Sequence, residues 1–400
     1  MGAGAVIKVL HIIAGLEADG AETVLHALTS RMNRDRFENE VISLTSLGPM
    51  AERLEASGVR VRALGMRRGA PNPYHLVRLS QWLKRSQPSV VQTWMYHADL
   101  MGGVAASLTG KAAVVWGIHH TSLDPGQNKR LTIWTARMCA QLSSRIPRRI
   151  VCCSEASRQA HVRFGYAESK MEVIPNGFDL REFHPDADAR RSLRQELGIA
   201  EETPLIGMAA RFHVQKGQRN FIEAAGRLHS RMPEVHFVLC GKGADENNRE
   251  LKAWIEQAGE NLSAVCHLLG SRHDMPRFFA GLDIATSASL SEAFPMAVGE
   301  AMACGTPCVV TNVGDSAMIV QDTGKVVPAG DSQALADAWQ ALLATGDTAR
   351  KRLGLAARNR VEQWFAVDAV VERYQELYRE VLALSGPASA QRSSLASLVG

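Results

Sequence analysis

The chain has 400 residues, 46% of them hydrophobic and 22% charged, and its mean hydropathy is −0.10. At roughly 100–200 residues per domain this allows two to four domains, two being the default for a compact enzyme, and it excludes both a membrane-embedded and a disordered chain. The net charge of +4 hides an asymmetry: residues 1–150 carry 19 Lys+Arg against 10 Asp+Glu, and the remainder carries 26 against 31. A basic first half suits an anionic partner, such as a lipid phosphate, a phospholipid surface or nucleic acid, unless it is simply a solvated Arg-rich face.

In chain order, the first apolar run is Val6–Ile13, which contains Lys8 and reads as a strand rather than a secretory signal. Val6 stands where a myristoylation signal wants Ser or Thr. Asp19-Gly20-Ala21-Glu22 is the first strand–helix turn, where Gly20 lets the backbone approach a phosphate, and an amphipathic helix spans Glu22–Met32. Strands follow at Glu40–Leu44 and Val59–Ala63, a helix at Tyr74–Arg85, and strands at Val90–Met95, Ala113–Ile118 and Arg149–Cys153. Leu100 to Ile118, the likeliest candidate for a membrane span, is interrupted by Lys111 and glycines, so no span is expected. Pro175-Asn176-Gly177 and the charged segment Asp179–Glu196 mark a joint. The strand pattern then restarts at Leu205–Ala209, Val235–Leu239, Ala264–Leu268, Ile284–Ser287 and Cys308–Thr311. Strands alternating with helices in two series predict two Rossmann-like domains with parallel sheets, at 1–177 and 178–360. Residues 361–384 read as a final helix and 385–400, rich in Ser, Ala and Gly, as a disordered tail. The seven cysteines include no CxxC pair, which predicts packing thiols in a reducing, cytoplasmic setting.

The densest chemical signal is the segment from Ser287 to Gly305. It leaves a strand and opens a helix near Pro295, so the amides of Met296, Ala297 and Val298 are expected to form an anion-binding helix N-terminus. Glu292 precedes that helix and Glu300 lies within it. Eight helical residues span about 12 Å, too far for a glycosidase pair at about 5–9.5 Å, so one carboxylate at each end of a long ligand fits better. Arg211 and Lys216 follow the strand Leu205–Ala209, at the carboxyl end where open α/β sheets bind ligands. Two cations there could stabilise a leaving diphosphate. His119 and His120 follow the strand Ala113–Ile118; His120 is favoured as the functional one, with the choice between them open. Gly241-Lys-Gly243 reads as a tight turn and Asp186-Ala187-Asp188 as a helix cap rather than a metal motif. Trp82, Trp94, Trp116 and Trp134 read as core or interface residues, contact with lipid beside basic residues being the alternative.

These elements, together with Val173-Ile-Pro-Asn176-Gly177 at the joint, resemble the retaining glycosyltransferases of family 4, which have the GT-B fold. The resemblance implies two Rossmann-like domains facing across a cleft, the last helix crossing back to the N-terminal acceptor domain and the C-terminal domain holding a nucleotide sugar. It implies that Arg211 and Lys216 meet the diphosphate, that Glu300 meets the ribose, and that Glu292 with Ala293, Phe294, Pro295, Met296 and Ala297 holds sugar and phosphates. Gly20 would lie near the distal phosphate, Leu269-Gly270-Ser271-Arg272 would meet the base, and His120 the donor sugar. Ala210, Asp19 and Ala293 depart from glycines usual in the family, which bears on donor fit. No cofactor or metal is expected. The implied reaction is hexose or N-acetylhexosamine transfer, UDP-sugar favoured, to a lipid-linked glycan in cell-surface polysaccharide synthesis. That acceptor, polyprenyl-diphosphate-linked, would place the enzyme in the cytoplasm, peripheral at the inner face of the cell membrane. A non-catalytic nucleotide-sugar-binding module and a GT-B nucleotide-sugar 2-epimerase are the alternatives. Nucleic-acid binding is not expected, for want of a stacking-aromatic motif.

Overall fold

The structure is a computed structural model and describes residues 6–17, 20–67, 73–121, 123 and 128–384. Asp19 of the first turn and the 385–400 tail lie outside the described residues. The chain divides into two units, one comprising the stretch up to Gly177 together with that from Val367 onward, the other Phe178–Ala366.

The first unit runs β1 (Ile7–Ile13), α1 (Gly20–Arg31), β2 (Phe37–Ser43), α2 (Pro49–Ala56), β3 (Arg60–Ala63), α3 (Pro73–Ser86), β4 (Val90–Trp94), α4 (Tyr96–Thr109), β5 (Ala113–Ile118), α5 (Arg130–Leu142), β6 (Arg149–Cys152), α6 (Glu155–Phe164) and β7 (Met171–Val173). Its seven strands are parallel, in the order β3-β2-β1-β4-β5-β6-β7. β4 and β5 are buried at every position, as strands covered on both faces must be. Alternation splits β1 between two cores: Val9 and Ile13 join one, Leu10 and Ile12 the other.

The second unit runs α7 (Ala187–Leu197), β8 (Leu205–Ala209), α8 (Gln218–His229), β9 (His236–Cys240), α9 (Arg249–Ala258), α10 (Leu262–Val265), β10 (Cys266–Leu268), α11 (Met275–Ala280), β11 (Ile284–Ser287), α12 (Met296–Ala303), β12 (Cys308–Thr311), α13 (Ser316–Val320), β13 (Gly324–Val327), α14 (Ser332–Ala344) and α15 (Asp347–Trp364). Its six parallel strands are ordered β10-β9-β8-β11-β12-β13. The chain then returns as α16 (Val367–Ala383), whose Val370, Tyr374, Leu377, Tyr378 and Val381 complete the core shared with α1 and α2.

Two strands were not expected from sequence, β7 and β13. Both are short edge strands, and half or more of their residues are not buried, so neither shows a continuous apolar run. The expected helix over 361–384 is two helices. Residues 361–366 belong to the second unit, where Phe365 leaves helical geometry and its ring packs on Phe178 and Phe294. Asp186 caps α7 by accepting from the Asp188 amide, as read from sequence. All seven cysteines are buried, free thiols. Among the described residues no helix is long and apolar enough to cross a membrane.

α12 presses so closely on Phe178 that a Cβ at Gly299 would lie 2.0 Å from its ring. Gly299→Ala is therefore expected to destabilise the protein by about 1–3 kcal/mol, the usual cost of overpacking. Urea titration checks this; an unchanged midpoint would show that Phe178 yields freely.

Candidate functional site

Parallel strands deliver their carboxyl ends to one edge of a sheet, and in the second unit β8, β11 and β12 are consecutive neighbours there. The loops that leave them are joined through the backbone. The Leu290 N–H donates to the Gln215 carbonyl at 2.8 Å. Gly217, with φ +70, lies so near β11's exit that a Cβ would stand 2.0 Å from the Ala288 carbonyl oxygen. Gly314, with φ +55, approaches the Glu292 carbonyl oxygen in the same way, at 2.4 Å, and the Asp315 N–H donates to the Ala293 carbonyl. The Thr311 hydroxyl donates to the Ser289 carbonyl at 2.6 Å. Glycine is needed at 217 and 314 because both positive φ and close approach exclude a side chain.

This framework brings together residues far apart in sequence. Lys216 Nζ donates to Glu292 Oε1 at 2.6 Å, and the Ser289 hydroxyl donates to the same oxygen at 2.8 Å. The lysine side chain is 27% exposed and the glutamate 12%, so the pair is partly desolvated yet reachable. Arg211, which follows β8 on the same loop as Lys216, is exposed and makes no salt bridge among the described residues. α12 starts behind Pro295, which has no N–H to leave unsatisfied. Among the three expected amides, the Val298 N–H donates to the Pro295 carbonyl at 3.2 Å. Phe294 is buried, stacked on Phe178 with centroids 6.0 Å apart, and so anchors the loop rather than facing solvent. Glu300, one turn into α12, has its carboxyl pushed up to about 7 by burial and by the neighbouring charge of Glu182.

In the stretch Leu269–Arg272, which the resemblance places against the base through its backbone, the Arg272 side chain is engaged elsewhere. Glu196 and Asp274 hold the guanidinium at 2.7 and 2.6 Å, so only the backbone of this stretch remains for a base. Leu269 and Gly270 hydrogen-bond to Leu239 and Ala244, which sets that backbone at the carboxyl end of β9. Gly241–Gly243 is a tight turn, closed by Ala244 N–H to the Gly241 carbonyl.

In the first unit, Gly20 opens α1 exposed, with open space where a Cβ would be. His119 and His120, beyond the carboxyl end of β5, differ sharply. His120 Nε2 meets Asn128 Oδ1 at 3.3 Å and its carbonyl accepts from the Ser157 hydroxyl. His119 stacks on buried Trp94 at 5.1 Å, and neither ring nitrogen has a hydrogen-bond partner among the described residues. Burial lowers its pKa to about 4, so the ring is neutral at pH 7. A desolvated imidazole with both nitrogens open is costly unless a ligand group meets it. Trp94 is itself held by its indole N–H to His11 Nδ1 at 3.3 Å and by Tyr374 of α16 stacked 6.4 Å away. Ser289, Gly217 and Gly314 escaped the sequence reading, and Trp94 was read as a core or interface residue without its place behind His119. Only the glycines, each beside a charged residue, offered a local signal.

Residues 18–182 match Glycosyltransferase Family 4, and residues 203–345 match Glycosyl transferases group 1. The chain is 26% identical over 315 residues to the UDP-Gal:alpha-D-GlcNAc-diphosphoundecaprenol alpha-1,3-galactosyltransferase of Escherichia coli, covering 77% of this chain and 79% of that one. It is 25% identical over 364 residues to the N,N'-diacetylbacillosaminyl-diphospho-undecaprenol alpha-1,3-N-acetylgalactosaminyltransferase of Campylobacter jejuni, covering 87% and 93%. The crystal structure of Anabaena Alr3699/HepE in complex with UDP superposes with a TM-score of 0.82 at 23% identity, over 94% of this chain and all of that one. The sucrose-phosphate synthase of Thermosynechococcus elongatus gives 0.78 at 19%, over 94% and 99%. The fold is GT-B.

The raised pKa of Glu300 has a stability consequence. As pH rises from 4.5 toward about 7 the unfolded chain gives up this proton before the folded one does, so folding loses stability through that window and the loss is complete above it. Glu300→Gln is expected to be more stable than the parent at about pH 8 and indistinguishable from it at about pH 4. Thermal melts at both pH values check this, and parallel curves at both would place the proton elsewhere.

Proposed function

Because this chain belongs to the family 4, group 1 glycosyltransferases, we propose that it transfers a hexose or N-acetylhexosamine from a nucleoside-diphosphate sugar, UDP favoured, to a hydroxyl of a lipid-linked glycan. The transfer proceeds with retention at the anomeric carbon, needs no metal, and serves cell-surface polysaccharide assembly. The observation that carries the reading is the meeting of Lys216 and Glu292 at 2.6 Å, where three adjacent strands end and α12 begins. A cation, a carboxylate and a helix N-terminus held together suit a ligand with hydroxyls at one end and a diphosphate in the middle. The UDP-galactose donor and undecaprenol-linked acceptor named for the Escherichia coli relative, and the UDP bound by the Anabaena protein, support the donor and acceptor classes.

The chemistry follows from where charge develops. As the anomeric C–O bond breaks, its electron pair passes to the diphosphate oxygen and the sugar becomes oxocarbenium-like. Lys216, Arg211 and the amides at the start of α12 stabilise that growing charge without rearranging during the step. Lys216 faces Glu292 before the donor arrives, so the cation is already oriented. Glu292 then turns to the sugar hydroxyls, which donate to it. The acceptor hydroxyl attacks from the face the diphosphate leaves, which gives retention. Asp186, the first residue of the Asp186-Ala187-Asp188 sequence, serves as a helix cap. Of the two histidines, His119 has the open ring nitrogens that a sugar hydroxyl could meet, so it takes the role first given to His120.

Lys216→Ala should lower kcat by roughly 10²–10³, the effect of losing one charge-stabilising donor. A turnover near the parent's would remove Lys216 from the mechanism. Ribose hydroxyls that donate to Glu300 favour its ionised form, so UDP affinity should weaken as pH falls below about 7, and Glu300→Gln should flatten that profile. Thermal shifts against UDP, GDP and ADP and their sugars, in EDTA, test the donor class. A shift only after a divalent cation is added would overturn the metal-free reading. Formation of an α-linked product from an α-linked donor, read by the anomeric proton signals, tests retention.

A further inference from the structure

Most polar groups outside the donor site have structural partners, but one surface of the first unit does not look like an ordinary helical exterior. α4 packs against α3 on one side and α5 on the other, and their inner faces form a single core. Leu79 and Leu83 of α3 and Ala136, Cys139 and Ala140 of α5 belong to it. On the outer faces, where polar residues belong, stand Tyr74 at 62% exposure, Val77 at 56%, Leu131, and Trp134 at 55%. They occupy the second and fifth positions of α3 and of α5. Helices that join parallel strands run antiparallel to them, so these first turns lie toward the carboxyl edge of the sheet, the edge from which the His119 turn emerges.

The charge around them has one sign. From Val59 to Ser154 the sequence contains 14 Lys+Arg and two acidic residues, Asp99 and Asp124. Asp99 is fully buried. Lys129, Arg130 and Arg137 are exposed on or beside α5, next to Trp134. A surface that combines exposed Trp, Tyr and aliphatic side chains with basic residues and no exposed acid on α3, α4 or α5 has the composition of an interfacial helix face. Its aromatic rings suit the headgroup layer and its cations suit lipid phosphates. A protein partner would be matched by mixed charges, and a nucleic acid by aromatic rings lining a groove.

We propose that the outer face of α3 to α5 docks on an anionic lipid bilayer, with Tyr74, Val77, Leu131 and Trp134 entering the headgroup layer and Lys129, Arg130 and Arg137 meeting phosphates. This deepens the reading of a lipid-linked acceptor and rests on it. The surface would place the carboxyl edge of the first sheet beside the membrane in which such an acceptor is anchored.

The test is sedimentation of the full chain with phosphatidylcholine vesicles and with phosphatidylcholine–phosphatidylglycerol vesicles at low salt. The parent should pellet with the anionic vesicles only, and the double variant Arg130→Glu, Arg137→Glu should pellet about tenfold less or not at all. Trp134→Ser should weaken pelleting while removing part of the fluorescence blue shift that vesicles induce. A UDP thermal shift measured on every variant shows that the fold and donor site survive. No pelleting of the parent, equal pelleting with both vesicles, or an unchanged double variant would each overturn the proposal. Anionic pelleting without any UDP shift would support the surface and overturn the donor reading instead.

Discussion

The donor end of this protein depends on a steric constraint: backbone from three loops must come close enough that side chains are excluded between them. Gly217 against the Ala288 carbonyl and Gly314 against the Glu292 carbonyl are the two pinch points. Between them the chain has almost no freedom, and the Lys216–Glu292 pair is the result. A lysine on a free loop would spend its time in water. Here the loop's path sets the ammonium on a carboxylate that Ser289 also holds. Preorganisation of this kind makes a pair of exposed-type residues useful for charge stabilisation.

The same logic appears in the first unit with aromatic rings in place of glycines. Tyr374 arrives from the far end of the chain, stacks on Trp94, and Trp94 in turn backs His119. The imidazole is thereby kept desolvated and neutral. Its orientation is tied to whether α16 is in place. Desolvation works in the opposite sense on Glu300, where burial together with the charge of Glu182 favours the protonated carboxyl. Both effects come from packing around the group rather than from the group's own neighbours in sequence.

Much of this was legible in advance. Most strands buried on both faces stood out because their runs are short, rich in β-branched residues and bounded by turn residues, which separates them from buried helix. The segment around Glu292 and Pro295 announced a loop opening a helix by composition alone. What escaped had a physical reason in each case. β7 and β13 sit at sheet edges with half-exposed residues, so no apolar run marks them. The ion pair that holds the Arg272 side chain gave no signal because its partner Glu196 lies 76 residues away. His119 and His120 are equivalent in sequence, and only the stacking on Trp94 and the bond to Asn128 separate them. The break between α15 and α16 was hidden because Phe365 and Val367 are both apolar, though Phe365 packs within the second unit and Val367 in the core of the first.

That break has a consequence for how the chain is made. Phe178 and Ala366 pair as a parallel bridge, and the Phe178 N–H donates to the Phe365 carbonyl, so the second unit begins and ends at hydrogen-bonded neighbours. It is in effect a closed insertion within the first. On the ribosome, every residue of this insertion is available before Val370, Tyr374 and Val381 of α16 exist. The unit that starts first therefore finishes last: its sheet must wait, with the α1–α2 side of its core unsealed, until the final helix emerges. A chain truncated before residue 367 would be expected to retain a folded second unit and lose the first.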